Sequence, residues 1–129
     1  MKPLQRILHV EDVPSIQLVT RIALEKIGGF EVLSCASGQA ALDQVQGFEP
    51  DMILLDVMLP HMSGVELLRQ LAQLIDLQRT PVVLLTGQME DSVDPEELRR
   101  LGVRKLLQKP FDPLQLATQL QRVWAAEHE

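Results

Sequence analysis

Residues 50–64 read PDMILLDVMLPHMSG, a short apolar run that ends in an acid and leads into a turn-forming segment. The run at residues 52–55 is continuous rather than alternating, which is typical of a strand covered on both faces in a parallel sheet. Three further runs have the same character: residues 7–10, 82–85 and, more loosely, 103–107. A fifth, weaker strand is predicted at residues 31–35, because Gly28 and Gly29 end the element before it.

Segments with helical spacing separate these runs. A short helix is predicted after Ser37, and Asp94 and Asp112 each precede a proline, as at the start of a helix. The predicted core-facing stripes of the first and third helices are Ile16, Val19, Thr20, Ala23 and Ile27, and Val65, Leu68, Ala72 and Ile75. Five strand–helix alternations predict an α/β fold: a five-stranded parallel sheet with right-handed crossovers and helices packed on it.

Size and composition fit one globular domain. The chain has 129 residues, 46% of them hydrophobic, so we expect a single domain over residues 1–129 with its core between about residues 5 and 125. The net charge of −6 argues against a nucleic-acid-binding surface over the whole domain. A single cysteine, Cys35, fits a reducing compartment, and no apolar run approaches the roughly 18 residues of a membrane span. We therefore expect a cytoplasmic protein without membrane contact.

Polar side chains follow four of the predicted strands. Glu11 and Asp12 follow the first, Asp56 the strand at 52–55, Thr86 the strand at 82–85, and Lys109 the last. In open α/β sheets, ligands bind outside the carboxyl ends of the strands, so these five side chains are expected to converge on one edge. They are far apart in sequence, and their joint occurrence at strand ends is the strongest functional signal in the chain.

Three carboxylates at one edge favour a cation. Two carboxylates about 4 Å apart repel by roughly 4 kcal/mol at an effective dielectric near 20, so three together either take up protons or bind a metal. Oxygen ligands with few carboxylates suit Mg²⁺, which is normally shared with a phosphate. A metal, a lysine and a hydroxyl beside Asp56 suit phosphoryl transfer, with Asp56 placed as the nucleophile.

Each of these residues also has a structural interpretation. Asp12 could cap the helix that begins near Pro14, a threonine such as Thr86 at the end of a strand is commonly structural, and an isolated lysine such as Lys109 is commonly solvated. His9, within an apolar strand, is predicted to be a packed core histidine rather than a phosphate carrier.

The same residues carry a family resemblance that extends over essentially the whole chain. Four segments match the signatures of the CheY-like receiver domains of bacterial response regulators: residues 7–16, residues 50–64, Thr86-Gly87 and Lys109-Pro110-Phe111. The chain resembles this family in all four, in order and at suitable spacing. The resemblance implies a doubly wound, flavodoxin-like sheet with strand order 2-1-3-4-5.

The resemblance implies a phosphoacceptor and a metal site. Asp56 would accept a phosphoryl group from a phosphohistidine on a sensor histidine kinase or a histidine phosphotransfer protein. Asp12, Asp56 and the backbone carbonyl of Met58 would bind Mg²⁺, and Glu11 would act mainly through a metal-bound water. The domain would catalyse its own phosphorylation and hydrolysis, but it would have no separate substrate.

The resemblance also implies a response to phosphorylation. Thr86 would hydrogen-bond the phosphoryl group, Lys109 would pair with it, and the Lys109–Pro110 peptide would be cis. A downstream protein or a second copy would bind the face formed by the fourth helix, the fifth strand and the fifth helix, with no direct role for nucleic acid.

Three departures from the family pattern bear on the mechanism. The acid pair is Glu11-Asp12 rather than two aspartates, and Gly87 replaces the usual alanine. Leu106 stands where the family usually has Tyr or Phe, so the usual inward turn of an aromatic ring cannot occur, and the readout is expected to differ.

Three alternatives stay open from sequence. The chain could be a receiver cut from a larger regulator or hybrid kinase. It could be a receiver that binds proteins without taking phosphate. The third is an aspartyl-phosphate phosphatase, which the sequence disfavours because Met58 stands where such enzymes use a second acid.

Overall fold

Five parallel strands form one sheet in the computed structural model, which describes residues 2–87 and 94–127. The strands are β1 (Arg6–Val10), β2 (Glu31–Cys35), β3 (Met52–Asp56), β4 (Val82–Thr86) and β5 (Val103–Gln108). Their order is β2-β1-β3-β4-β5, and every neighbouring pair is parallel. The predicted fold and strand order are therefore confirmed.

Helices connect successive strands. They are α1 (Pro14–Ile22), α2 (Gly38–Phe48), α3 (Gly64–Leu71), α4 (Pro95–Arg100) and α5 (Pro113–Glu127). Side-chain oxygens of Ser37, Ser63 and Asp94 cap α2, α3 and α4, each by accepting a hydrogen bond from a backbone N–H of the first turn. The predicted start after Asp112 is also confirmed, since its carboxylate accepts from the N–H of Leu114.

A π-helical segment, Ala23–Ile27, continues α1 to the turn before β2. Its last turn is closed by the N–H of Gly28, which donates to the carbonyl of Ala23. A π-helical turn holds one residue more than an α-helical turn, so it rotates the residues that follow. Ile27 is consequently 52% exposed, although α-helical spacing placed it on the core-facing stripe.

The sheet separates two apolar layers. Side chains of Leu8 and Val10 pack with α2, α3 and α4 on one face, whereas Ile7 packs with the π-helical segment and α5 on the other. All five residues of β3 and of β4 are buried, because these strands lie between other strands and are covered on both faces. Doubly covered strands explain why the apolar runs are continuous.

Two predicted helix stripes are partly wrong. The buried apolar side chains of α3 are Leu67, Leu68 and Leu71. The predicted residues Val65 and Ile75 do pack against the same core, but α3 ends at Leu71, so Ile75 and the exposed Ala72 lie beyond the helix. In α1, Val19 is 45% exposed, while Thr20 is buried. These segments contain more apolar residues than their buried faces need. Helical spacing alone therefore did not decide which of these residues face the core.

The edge of the sheet opposite the carboxyl ends is fixed by Asp51. Its buried carboxylate accepts from the backbone N–H groups of Gln5 and Arg6 at 3.0 and 2.9 Å, and it pairs with the ammonium of Lys2 at 2.8 Å. Burial would raise the pKa of Asp51, but Lys2 and the two N–H donors outweigh burial and lower the pKa below its usual value. The ionised form is therefore stabilised in the folded state.

Replacing Asp51 with Asn should reduce the free energy of unfolding by about 1–3 kcal/mol near neutral pH, because two buried N–H donors lose a charged acceptor. A lowered folded-state pKa gives stability that is present above the unfolded pKa of about 3.9 and is lost as pH falls through the folded pKa. The free energies of unfolding of wild type and Asp51→Asn, measured in urea, should therefore approach each other as pH falls below about 3.9. The control is Asp43→Asn, at an exposed carboxylate that bonds to Gln39, and it should unfold like wild type. A difference in free energy of unfolding between wild type and Asp51→Asn that persists in acid would contradict the prediction.

Candidate functional site

The five side chains predicted to converge lie together at the carboxyl edge of the sheet, each held by the end of a strand. Glu11 follows β1, and its N–H donates to the carbonyl of Cys35, which extends the β1–β2 pairing by one residue. Asp56 and Thr86 are the last residues of β3 and β4. The N–H of Lys109 donates to the carbonyl of Thr86 at 2.8 Å, so Lys109 leaves β5 beside the end of β4.

The ammonium of Lys109 lies between two carboxylates. Its Nζ is 2.7 Å from Oδ2 of Asp56 and 2.8 Å from Oε1 of Glu11. Glu11 is fully buried, Asp56 is 4% exposed, and the side chain of Lys109 is 19% exposed. Lys109 is therefore not the solvated lysine of the structural interpretation; its charge is shared by two buried acids from different strands.

This arrangement shifts the pKa of both ends of the Glu11–Lys109 pair upwards. Burial raises the pKa of Glu11, and the neighbouring Asp56 adds to the rise, which the hydrogen bond from Lys109 only partly offsets. Burial alone would lower the pKa of Lys109, but its hydrogen bonds to Asp56 and Glu11 outweigh burial and raise the pKa. The two acids thus hold Lys109 in its charged form.

The carboxylates of Glu11, Asp12 and Asp56 form the donor set that the sequence predicted. One oxygen from each lies within 4.8 Å of the others. Asp12 does not cap α1, since the N-cap position is Val13 and no side-chain hydrogen bond caps that helix. Three oxygen donors at this separation fit a hard divalent cation such as Mg²⁺.

The loop after β3 orients Asp56. The N–H of Met58 donates to Oδ1 of Asp56 at 2.9 Å, so the two carboxylate oxygens have different partners. The N–H of Gly64 donates to the carbonyl of Val57 and closes the loop. A Cβ at Gly64 would lie 3.0 Å from Cα of Val57 and 3.1 Å from the carbonyl oxygen of Asp56, so glycine permits this close approach.

The neighbouring strands hold the remaining predicted residues. Thr86 is 5% exposed at the end of β4, whereas Gly87 after it is exposed. The Lys109–Pro110 peptide is cis, as the resemblance implied. Leu106 on β5 is 39% exposed, so the position where an aromatic residue is usual carries a half-exposed aliphatic side chain.

Sequence reasoning missed two contacts of the site. The side-chain amide of Gln17 in α1 donates to the carbonyl of Glu11 at 3.0 Å and fixes the start of the β1–α1 loop. The N–H of Val13 donates to Oε2 of Glu11 at 3.3 Å. Gln17 lies on a helix with no distinguishing motif, and a backbone donor leaves no mark on the sequence, so neither contact had a signal in the pattern.

His9 is a core residue, as predicted. It is fully buried, and neither ring nitrogen has a hydrogen-bond partner among residues 2–87 and 94–127. Burial, with a smaller contribution from the charge of Lys109, lowers the pKa of His9 to about 4. His9 is therefore neutral near physiological pH.

A family model, the response regulator receiver domain, matches residues 7–121. The chain belongs to this family. Receiver domains are the switch domains of two-component signalling, and the four motifs, the fold and the site geometry agree with the match.

Curated relatives place similar receiver domains within longer proteins. The chain is 34% identical over 112 residues to the probable C4-dicarboxylate response regulator DctR of Halalkalibacterium halodurans. This match covers 85% of the chain and 47% of that protein. It is 32% identical over 119 residues to the alkaline phosphatase synthesis transcriptional regulatory protein PhoP of Bacillus subtilis, covering 92% of the chain and 48% of that protein. The chain thus spans about half the length of these relatives. It matches 16% of the aerobic respiration control sensor protein ArcB of Escherichia coli, at 30% identity over 98% of the chain.

Solved structures include receivers of the same size. Chemotaxis response regulator CheY4 of Vibrio cholerae has a TM-score of 0.81 and 32% identity, covering 93% of this receiver domain and 98% of that chain. A CheY-like receiver domain protein of Methanospirillum hungatei has a TM-score of 0.81 and 26% identity, covering 97% of each chain. Within the described part of this receiver domain, no helix has the length and apolar character needed to cross a bilayer.

Replacing Lys109 with Met should leave the carboxylates of Glu11 and Asp56 facing each other without a cation. Removing one partner of a buried ion pair costs about 3–5 kcal/mol, and the partial exposure of Lys109 should reduce this to about 2 kcal/mol. The substitution raises the folded-state pKa of Glu11 further, and a raised pKa means that stability is lost as pH rises. Urea unfolding should therefore show a larger deficit at about pH 8 than at about pH 5. Lys26→Met, at an exposed lysine, is the control; an equal deficit at both values would contradict the electrostatic explanation.

Proposed function

We propose that this receiver domain accepts a phosphoryl group on Asp56 from a phosphohistidine of a sensor histidine kinase or a histidine phosphotransfer protein. The observation that carries the proposal is the position of Lys109, whose ammonium bridges Asp56 and Glu11 at the edge where three carboxylates meet. Phosphoryl transfer depends mainly on positioning and on compensation of negative charge, and both requirements are met by these side chains.

In the transfer, a carboxylate oxygen of Asp56 forms a bond to phosphorus as the phosphorus–nitrogen bond of the phosphohistidine breaks. The donor imidazole leaves with the bonding electrons and takes up a proton, and Asp56 becomes an acyl phosphate. The N–H of Met58 and the ammonium of Lys109 fix the two oxygens of Asp56 beforehand, so the nucleophile needs little reorganisation. Mg²⁺, held by Asp12, Asp56 and the carbonyl of Met58, with Glu11 acting through a bound water, would add positive charge beside the transferring group.

After transfer, the chain's own groups respond to the new charge. Lys109 keeps its pairing at Asp56 but now faces the dianionic phosphoryl oxygens, which attract it away from Glu11. The hydroxyl of Thr86, at the end of the adjacent strand, donates to a phosphoryl oxygen. Because the N–H of Lys109 is bonded to the carbonyl of Thr86, the two responses are mechanically linked.

The linked response reaches the face formed by α4, β5 and α5. This face binds a downstream protein or a second copy, and phosphorylation changes its affinity. Leu106 lies on this face and has no aromatic ring to turn inward, so the signal passes through the charge of Lys109 and the main chain of β4 and β5. The domain acts as a switch without a separate substrate and without direct contact to nucleic acid or membrane.

Incubation with acetyl phosphate and Mg²⁺ should add one phosphate to the wild type, detected by intact mass, and none to Asp56→Asn. Asp12→Asn should need at least about tenfold more Mg²⁺ for half-maximal labelling, because one of three charged donors is removed. Asp43→Asn, an exposed carboxylate away from the site, should label like wild type. The proposal fails if the wild type stays unmodified at saturating donor while calorimetry shows bound Mg²⁺. Steady turnover of a generic phosphate ester would instead favour the phosphatase.

Leu106→Tyr should alter the readout more than the chemistry. An aromatic ring at this half-exposed position can occupy two orientations, whereas leucine cannot, so phosphorylation should change amide exchange in α4 and β5 to a different extent. The labelling rate with acetyl phosphate should stay within about twofold of wild type, because Leu106 is 39% exposed on β5 and supplies neither charge nor a hydrogen bond to the site. Leu18→Tyr, at an exposed position on α1, is the control. If Leu106→Tyr changes the labelling rate as much as it changes the amide exchange of α4 and β5, the prediction is refuted.

A further inference from the structure

The positively charged side chains that lack an acidic partner are concentrated in one region. The chain has twelve lysines and arginines, and seven of them lie within ion-pairing distance of a carboxylate among the described residues. The five without such a partner in residues 2–87 and 94–127 are Lys26, Arg99, Arg100, Lys105 and Arg122. All except Lys26 belong to α4, β5 or α5.

A groove between β5 and α5 collects part of this charge. Lys105 and Arg122 line opposite sides of a concavity of about 340 Å³, which we call the β5–α5 groove, and Val123 and Ala126 supply its apolar lining. Lys105 and Arg122 are both exposed. The groove therefore offers two cations that have no acidic partner in the described part of the chain, beside an apolar surface at an edge strand.

Arg104 connects the elements that surround the groove. Its guanidinium donates to the carbonyl of Arg99 at 3.3 Å and to Oε1 of Gln78 at 2.7 Å, and it pairs with the carboxylate of Glu127. These contacts tie the last turn of α4, the start of β5 and the end of α5 together. The only described acid that lines the groove, Glu127, is thereby occupied, so no carboxylate among residues 2–87 and 94–127 compensates Lys105 and Arg122.

We propose that the β5–α5 groove binds an acidic amphipathic segment of a partner protein, with carboxylates against Lys105 and Arg122 and apolar side chains against Val123 and Ala126. The inference rests on the proposed function, because it names the kind of partner that the α4–β5–α5 face receives. In a chain of net charge −6, a local positive surface attracts acidic partners while the remaining surface repels them, which gives orientation as well as affinity.

A second copy of the chain fits this groove less well. Of the three described acids at the start of α4, two are already engaged, since Asp94 caps the helix and Glu97 pairs with Arg69, which leaves the exposed Glu96 as one carboxylate for the two cations of the groove. A symmetric pair would also bring two chains of charge −6 together. Nucleic acid is disfavoured by the same net charge, because phosphate backbones are repelled by most of the surface.

Three fluorescein-labelled peptides of about 15 residues, long enough for a helix, provide the probe. They share a leucine face, and their polar face is Glu, Gln or Lys. By anisotropy with the full chain, the Glu peptide should bind at least about tenfold more tightly than the Gln peptide, and added salt should reduce the difference. The double variant Lys105→Glu/Arg122→Glu should bind the Glu peptide no better than the Gln peptide, and the milder Lys105→Gln/Arg122→Gln should show an intermediate loss.

Lys26→Glu is the matched control, since it reverses an exposed, unpaired cation outside the groove, and it should keep wild-type affinity. Equal binding of the Glu and Gln peptides, or wild-type affinity in the double variant, overturns the proposal. Tighter binding of a random-sequence DNA duplex overturns it in favour of nucleic acid. Self-association by sedimentation that the double variant abolishes, without Glu-peptide binding, overturns it in favour of a second copy.

The peptide measurements use the unmodified protein, so they do not depend on whether Asp56 takes phosphate. Failed labelling at Asp56 together with selective binding of the Glu peptide would reject the proposed function and would still support peptide binding in the groove. Normal labelling together with no selectivity would reject the groove alone.

Discussion

The contact between the ammonium of Lys109 and the carboxylates of Asp56 and Glu11 sets the conditions for the rest of the structure. Two buried carboxylates at the ends of adjacent strands repel each other, because burial removes most of the solvent that would disperse their charge. The cation that compensates them comes from the strand farthest along the sheet, so β1, β3 and β5 must end at the same level. Parallel strands with helical crossovers meet this requirement, because they bring every carboxyl end to one edge.

The same contact bears on the proposed function. Lys109 bonds to both acids, so under that proposal a new negative group on Asp56 would draw the ammonium of Lys109 away from Glu11. Lys109 follows an edge strand and is bonded through its N–H to the end of β4. Under the same proposal, a change in charge at the carboxyl edge would act on the backbone of β5, the strand at the edge of the sheet.

The sequence predicted the strands and the residues at their ends well, and it predicted the helix faces and the partners of the site residues less well. Strands such as β3 are buried on both sides, which forces an uninterrupted apolar run and a clear end at Asp56. Helix faces are a weaker signal, since α3 ends at Leu71 and leaves Ala72 and Ile75 beyond it. The ion pair of Glu11 with Lys109 joins residues 98 apart in sequence, and spacing carries no record of such a contact.

Leucine at position 106 limits how the charge response can be conveyed. On β5, Leu107 points into the core shared with α5, and Leu106 points to the opposite side, where it is half exposed. An aliphatic side chain has no large flat surface that would favour one orientation strongly over another, so it cannot act as a two-position switch by itself. The neighbouring residues Arg104 and Lys105 carry charge instead, and Arg104 bonds to both α4 and the end of α5. A shift of β5 would therefore change the spacing of the charged groups on this face. The affinity of a partner that binds these charges would change with it.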